Sequence, residues 1–140
     1  MPVFLDDLAA RTSLAAACLY IGLLLIMLVA LTYAVIARRV SQKVGIGDGG
    51  DKTLARIIRI HGNFAENASF SIGALLALAL ISAPVWLVHL AGFSMLAGRL
   101  SHAWALWQSG GGSPFRVAGM IMTHLSLIIS ALALLRFALS

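Results

Sequence analysis

Residues 56–70 read RIIRIHGNFAENASF, and they open a segment that continues as SIGALLALALISA up to Pro84. Set on a helix at 100° per residue, Arg56, Arg59, Asn63 and Glu66 fall within an arc of roughly 80°, with Asn67 and Phe70 on its borders. His61 points to nearly the opposite side. The polar groups of an otherwise apolar helix therefore share one stripe, and a stripe can be hidden against neighbouring helices. A lone charge at mid-membrane costs roughly 2.5–3.5 kcal/mol on insertion scales. Glu66 therefore demands a partner, and the segment predicts a bundle rather than an isolated span.

The rest of the chain agrees. Of 140 residues, 61% are hydrophobic and 11% charged, with a mean hydropathy of +0.98. A soluble domain is nearer half apolar and a quarter charged. A span takes roughly 20 apolar residues, so the length accommodates four, at 12–37, 54–83, 85–107 and 115–139. Thr53 is placed to cap the second. Pro84 leaves a very short connection before the third, so spans two and three form an antiparallel hairpin. Pro114 suits the first turn of the fourth, with Ser113 as its cap. The expected fold is an all-α integral membrane four-helix bundle in one domain.

The net charge is +5. The connections RRVSQKVGIGDGGDKT and QSGGGSP, with the residues around them, hold Arg38, Arg39, Lys43, Lys52 and Arg116. The terminal side has Asp6, Asp7, Arg11 and Arg136. By the positive-inside rule the two glycine-rich connections face the cytoplasm of a bacterial inner membrane and both termini the periplasm. No basic patch interleaves with aromatics, which argues against nucleic acid. Cys18 is the only cysteine, so no intrachain disulfide forms. The acidic MPVFLDDLAARTS start argues against a cleavable signal. GIGDGGDKT lacks the spacing of a phosphate-binding loop, and the four histidines lack metal-ligand spacing. Broken helices and inverted repeats, the marks of a transporter, are missing.

Arg99 and His102 lie in the late half of span three, which antiparallel packing sets beside the opening of span two. Arg99 is thus the expected partner of Glu66. Arg38 or Arg39 and Arg116 converge at the same end, and several cations around one carboxylate point to an anionic ligand. The alternative is a structural pair that cements helices; periodicity alone leaves both open. His89 reads as interfacial, and His124 as a packed, hydrogen-bonded histidine.

RIIRIHGNFAEN resembles the second-helix signature of the MAPEG family, the membrane-associated proteins in eicosanoid and glutathione metabolism. AGRLSHAW resembles the family's third-helix segment, PFR the start of its fourth, and GIGDGGDKTLARIIRIHGN its small bacterial branch. The resemblance runs from about Leu14 to Leu135. It implies a left-handed four-helix bundle that forms a homotrimer and binds glutathione at the subunit interface. Arg59, Asn63 and Glu66 match glutathione contacts of the second helix, and His61 the polar position between them. His102 matches a third-helix contact. Arg116 matches the catalytic arginine that stabilises the thiolate, and Arg38 or Arg39 the arginine ending helix one. The implied function is a glutathione transferase or peroxidase acting on a lipophilic electrophile among membrane lipids. The alternative is a non-enzymatic bundle whose polar stripe only stabilises the trimer. Gly62 replaces an arginine of some prostaglandin-forming members. Leu106 and Met120 stand where eicosanoid enzymes place tyrosines, which points away from an eicosanoid substrate.

Overall fold

The computed structural model describes residues 8–109 and 111–140, so Asp6 and Asp7 lie outside the described residues. Four helices follow one another: α1 Leu8–Gln42, α2 Lys52–Leu80, α3 Val85–Gln108 and α4 Pro114–Ala138. α1 is longer than its apolar run. Its 35 residues make roughly 52 Å of helix at 1.5 Å per residue, against a hydrocarbon core of about 30 Å. Arg38 and Arg39 lie in its final turns, Arg39 in the last of them. The helix stops at Lys43, which has φ of 56°. There the N–H of Val44 donates to the Arg39 carbonyl at 3.0 Å, closing the last turn.

The cap of α2 is Asp51, not the expected Thr53. Asp51 Oδ1 accepts from the N–H groups of Thr53 at 2.8 Å and Leu54 at 3.2 Å. Its Oδ2 accepts from Arg38 Nε at 2.8 Å and lies 2.7 Å from Arg38 Nη2. One carboxylate thus caps α2 and ties it to the end of α1. Burial alone would push the Asp51 carboxyl up, but the two N–H groups and the Arg38 guanidinium outweigh it and hold it below the usual carboxylate range. Ser113 does occupy the residue before α4, but its hydroxyl makes no capping bond.

α2 ends at Leu80, earlier than the hydropathy implies, because Ser82 turns to φ of 52° and the Ala83 N–H donates back to Leu78. The Ser13 hydroxyl donates to the Ala83 carbonyl at 2.6 Å and pins this turn to α1. α2 and α3 each contact all the other helices, while α1 and α4 lie apart. Tyr20, Leu24, Phe64, Leu75, Val88 and Met95 form the apolar core among α1, α2 and α3. The α3–α4 seam is different. Gly98 and Gly119 let the two backbones come together, and Thr123, Ser126 and Ser130 are buried along it.

The outside is apolar. Large side chains such as Ile26, Phe93, Ile121 and Leu132 are exposed, the pattern of a protein solvated by lipid. α1, α2 and α4 are long and apolar enough to cross a membrane by length and composition alone. α3 falls short of that on its own sequence because it carries His89, Arg99 and His102. Two of the three are turned inward: Arg99 is 4% exposed and His102 5%. The fourth member of the bundle is thus made membrane-compatible by packing.

Candidate functional site

On α2 the i, i+4, i+8 spacing stacks Arg59, Asn63 and Asn67 on one face. On α4 Arg116 and Met120 are stacked in the same way, with Thr123 and His124 one turn further. Between them α3 contributes Arg99 and His102. These residues line a recess of about 160 Å³.

Arg99 is the structural keystone of the recess. Its Nε donates to Thr123 Oγ1 at 2.9 Å and its Nη1 to the Asn63 carbonyl at 3.1 Å. Thr123 gives its own hydroxyl hydrogen to the Gly119 carbonyl at 2.8 Å, so its oxygen is left to accept. One guanidinium therefore joins α2, α3 and α4. This corrects the expected Glu66–Arg99 pair. Within the chain Glu66 is exposed, lies outside the recess and makes no ion pair among the described residues. At 100° per residue it falls roughly 60° beyond Asn63.

The asparagines are oriented by the helix. Asn63 Nδ2 donates to the Arg59 carbonyl at 3.0 Å, and Asn67 Nδ2 to the Asn63 carbonyl at 2.9 Å. Each Oδ1 is left to accept a donor. His102 contrasts with both: its Nδ1 and Nε2 are buried and form no hydrogen bond of good geometry among the described residues, with the Arg116 main chain beside the ring. Buried polar groups are usually paired. The lining holds three guanidinium groups, from Arg59, Arg99 and Arg116, and no carboxylate. In a low-dielectric setting such a cluster attracts an anion strongly, and a guanidinium offers a carboxylate two parallel bonds.

Of the residues singled out in the sequence, Arg59, Asn63, His102 and Arg116 come together here. His61, Glu66 and Arg38 do not. His61 Nε2 lies 3.1 Å from Thr32 Oγ1, and Thr32 donates to the Leu28 carbonyl at 2.9 Å. His61 therefore donates to Thr32 and ties α2 to α1. Arg38 is held by Asp51, and Arg39 Nη1 donates to the Gly45 carbonyl at 3.1 Å. His89 is exposed, with Nδ1 3.1 Å from the Tyr20 hydroxyl. Sequence reasoning missed Asn67 and misread His124, which is exposed at the recess rather than packed. The signal for both was present: Asn67 follows Asn63 by four residues, and His124 follows Arg116 by eight. Of the two positions that lack tyrosine, Met120 lines the recess and Leu106 is buried in the packing. Among the described residues no three His, Cys, Asp or Glu side chains cluster as metal ligands.

The model of the MAPEG family matches residues 17–136. The chain belongs to that family. The MAPEG match takes in α2, α3, the whole recess and all but the outer ends of α1 and α4. The chain is also similar to Inner membrane protein YecN of Escherichia coli strain K12. The two are 34% identical over 115 residues, spanning 82% of this chain and 86% of the relative. Inner membrane protein YecN of Escherichia coli O6:H1 strain CFT073 matches with the same identity and coverage. No solved structure matches this MAPEG chain.

Proposed function

We propose that this MAPEG membrane protein binds glutathione in the α2–α3–α4 recess and transfers it to, or uses it to reduce, a lipophilic electrophile that arrives through the membrane. The observation that carries the reading is the recess lining of three guanidinium groups and no carboxylate, with the buried His102 among them. Glutathione brings two carboxylates, one ammonium and a thiol. Arg59 binds a carboxylate, and the Asn63 and Asn67 amide oxygens accept N–H groups. Arg116, half-buried in the first turn of α4, stabilises the thiolate, since a neighbouring cation lowers a thiol pKa.

At about 160 Å³ the recess is below the roughly 300–1,000 Å³ of a drug-sized ligand site. It takes one end of the tripeptide, and the remainder lies towards the exposed Glu66. A second copy of the chain, in a trimer, covers that face, and Glu66 then holds the ammonium. The YecN relatives are named as inner membrane proteins, and the positive-inside reading puts the recess in the cytoplasmic half of such a membrane.

Thermal-shift and calorimetric titration with glutathione test the reading. The parent protein is expected to bind and to be stabilised, and Arg116→Ala to lose most of that stabilisation. Absence of binding or stabilisation at millimolar glutathione would overturn it. A second reading, a bundle whose polar residues only hold helices together, draws on Arg99, whose observed bonds are all structural. It predicts that Arg116→Ala and His102→Phe leave every ligand response unchanged.

A further inference from the structure

Arg56 opens the polar stripe, yet it does not line the recess. It is half-buried and forms no hydrogen bond or ion pair with any described residue. Instead it lines a second hollow with Thr53, Ile57, Ile60 and Trp107. Ile60 and Trp107 also line a third, almost wholly apolar hollow of about 350 Å³, walled by Leu31 of α1 and by Leu100 and Trp104 of α3. The shared residues make the two hollows one groove on the outer face of the bundle.

The groove has a direction. Thr53 lies in the first turn of α2, at the membrane surface, and Ile60 lies seven residues further in. That is roughly 10 Å along the helix at 1.5 Å per residue, within the roughly 15 Å of one hydrocarbon leaflet. Polarity falls along it, from a hydroxyl and a guanidinium, past an indole, to aliphatic side chains. A lipid of the same leaflet has this profile: headgroup at the surface, glycerol next, acyl chain inward. A zwitterionic headgroup brings its own cation and gives Arg56 less net attraction than an acidic one. Arg56 is a cation with no carboxylate against it, so the complementary headgroup is anionic.

The geometry points to a site for an acidic phospholipid, with one acyl chain in the apolar groove and its phosphate on Arg56. The site is separate from the glutathione recess and does not depend on it. A partner helix filling the groove would have to bring a carboxylate to Arg56 at the membrane surface. Of the described carboxylates, Asp51 is already held by Arg38, Asp48 lies in the connection that precedes α2, and Glu66 lies ten residues beyond Arg56 on a different side of the stripe.

Two of the protein's three tryptophans line the groove, so it reports on its own occupancy. In a Trp86→Phe background only Trp104 and Trp107 emit. Bilayers carrying brominated phosphatidylglycerol are compared with bilayers carrying brominated phosphatidylcholine at the same fraction. Quenching by the acidic lipid is expected to be at least about twofold stronger at low fraction. Arg56→Gln is expected to abolish the preference, and Arg59→Gln, which touches the recess, to leave it intact. Equal quenching by the two lipids in the parent overturns the proposal. So does a preference that survives Arg56→Gln. Absence of quenching by either lipid also overturns it, because the groove would then be covered by another copy of the chain. The comparison in the parent stands even if a variant fails to fold.

Discussion

Arg99 shows how one buried side chain organises the polar interior. Its guanidinium donates to Thr123 and to the Asn63 main chain, and Thr123 Oγ1 accepts from it. Thr123→Val removes that acceptor and leaves a buried charged donor unpaired. The expected cost is about 1–3 kcal/mol, read as a lowered midpoint of thermal unfolding in detergent, with Thr123→Ser close to the parent. His102 is expected to behave in the opposite way. His102→Phe removes two buried nitrogens that form no hydrogen bond of good geometry, so the unliganded protein should be about as stable as the parent. Stabilisation by glutathione should be lost in the same variant. A drop in unliganded stability with the glutathione response retained would make His102 a structural residue. Sequence periodicity showed that Arg99 and His102 share a face of α3. It did not show that Thr123 is nearer to Arg99 than Glu66 is, because that depends on the rotation of α4 about its own axis.

The helices are set by contacts at their ends and at two glycines. A Cβ on Gly119 would stand 2.6 Å from the Gly98 carbonyl oxygen and 2.8 Å from the His102 nitrogen. Both are backbone atoms that cannot swing aside. Gly119→Ala is therefore expected to push α3 and α4 apart, at the roughly 1–3 kcal/mol of an overpacked core, and to open the recess. Gly73 has nothing within 4 Å of such an atom. Gly73→Ala should be neutral or stabilising by up to about 1 kcal/mol from helix propensity, and thermal unfolding of the two variants checks the contrast. The Asp51 junction carries a pH dependence. Because its native pKa is depressed, its contribution is complete above the ordinary carboxyl pKa of 3.8 and is lost as pH falls below that through the native value. Hydrogen exchange at the Thr53 and Leu54 amides should accelerate in that acid window relative to mid-helix amides. Unchanged protection there would show that Asp51 is not what holds the start of α2. The helices and their order were legible from hydropathy and from Pro84 and Pro114. The Asp51 cap was not, since only the folded loop brings Arg38 onto the same carboxylate.

At the scale of the whole molecule, the exposed Glu66 limits how the chain can sit in lipid. An uncovered carboxylate on a membrane helix is costly, so mass analysis of the detergent-solubilised protein is expected to give three copies. A monomer would leave Glu66 without cover and would sink the shared site. The proposed topology has its own check. Ile46, 90% exposed in the first connection, is placed for labelling as Ile46→Cys in a Cys18→Ala background. The label is expected to react only from the cytoplasmic side, and reaction from the periplasm would reverse the orientation.

By itself, the stretch RIIRIHGNFAENASF determined that one helix carries a polar stripe through an apolar protein, and with composition it determined an all-α membrane bundle. These follow from local periodicity and from the lipid's intolerance of unpaired polar groups. Only the tertiary structure decided how the stripe is divided. Arg59, Asn63 and Asn67 go to the recess, Arg56 to a separate hollow between α2 and α3, His61 to Thr32, and Glu66 to an open face. Residues on one helical face lie within a few ångströms of two or three neighbouring helices. Which of these each side chain meets depends on crossing angle and rotation, and those are set by contacts such as Gly98 against Gly119, far away in sequence.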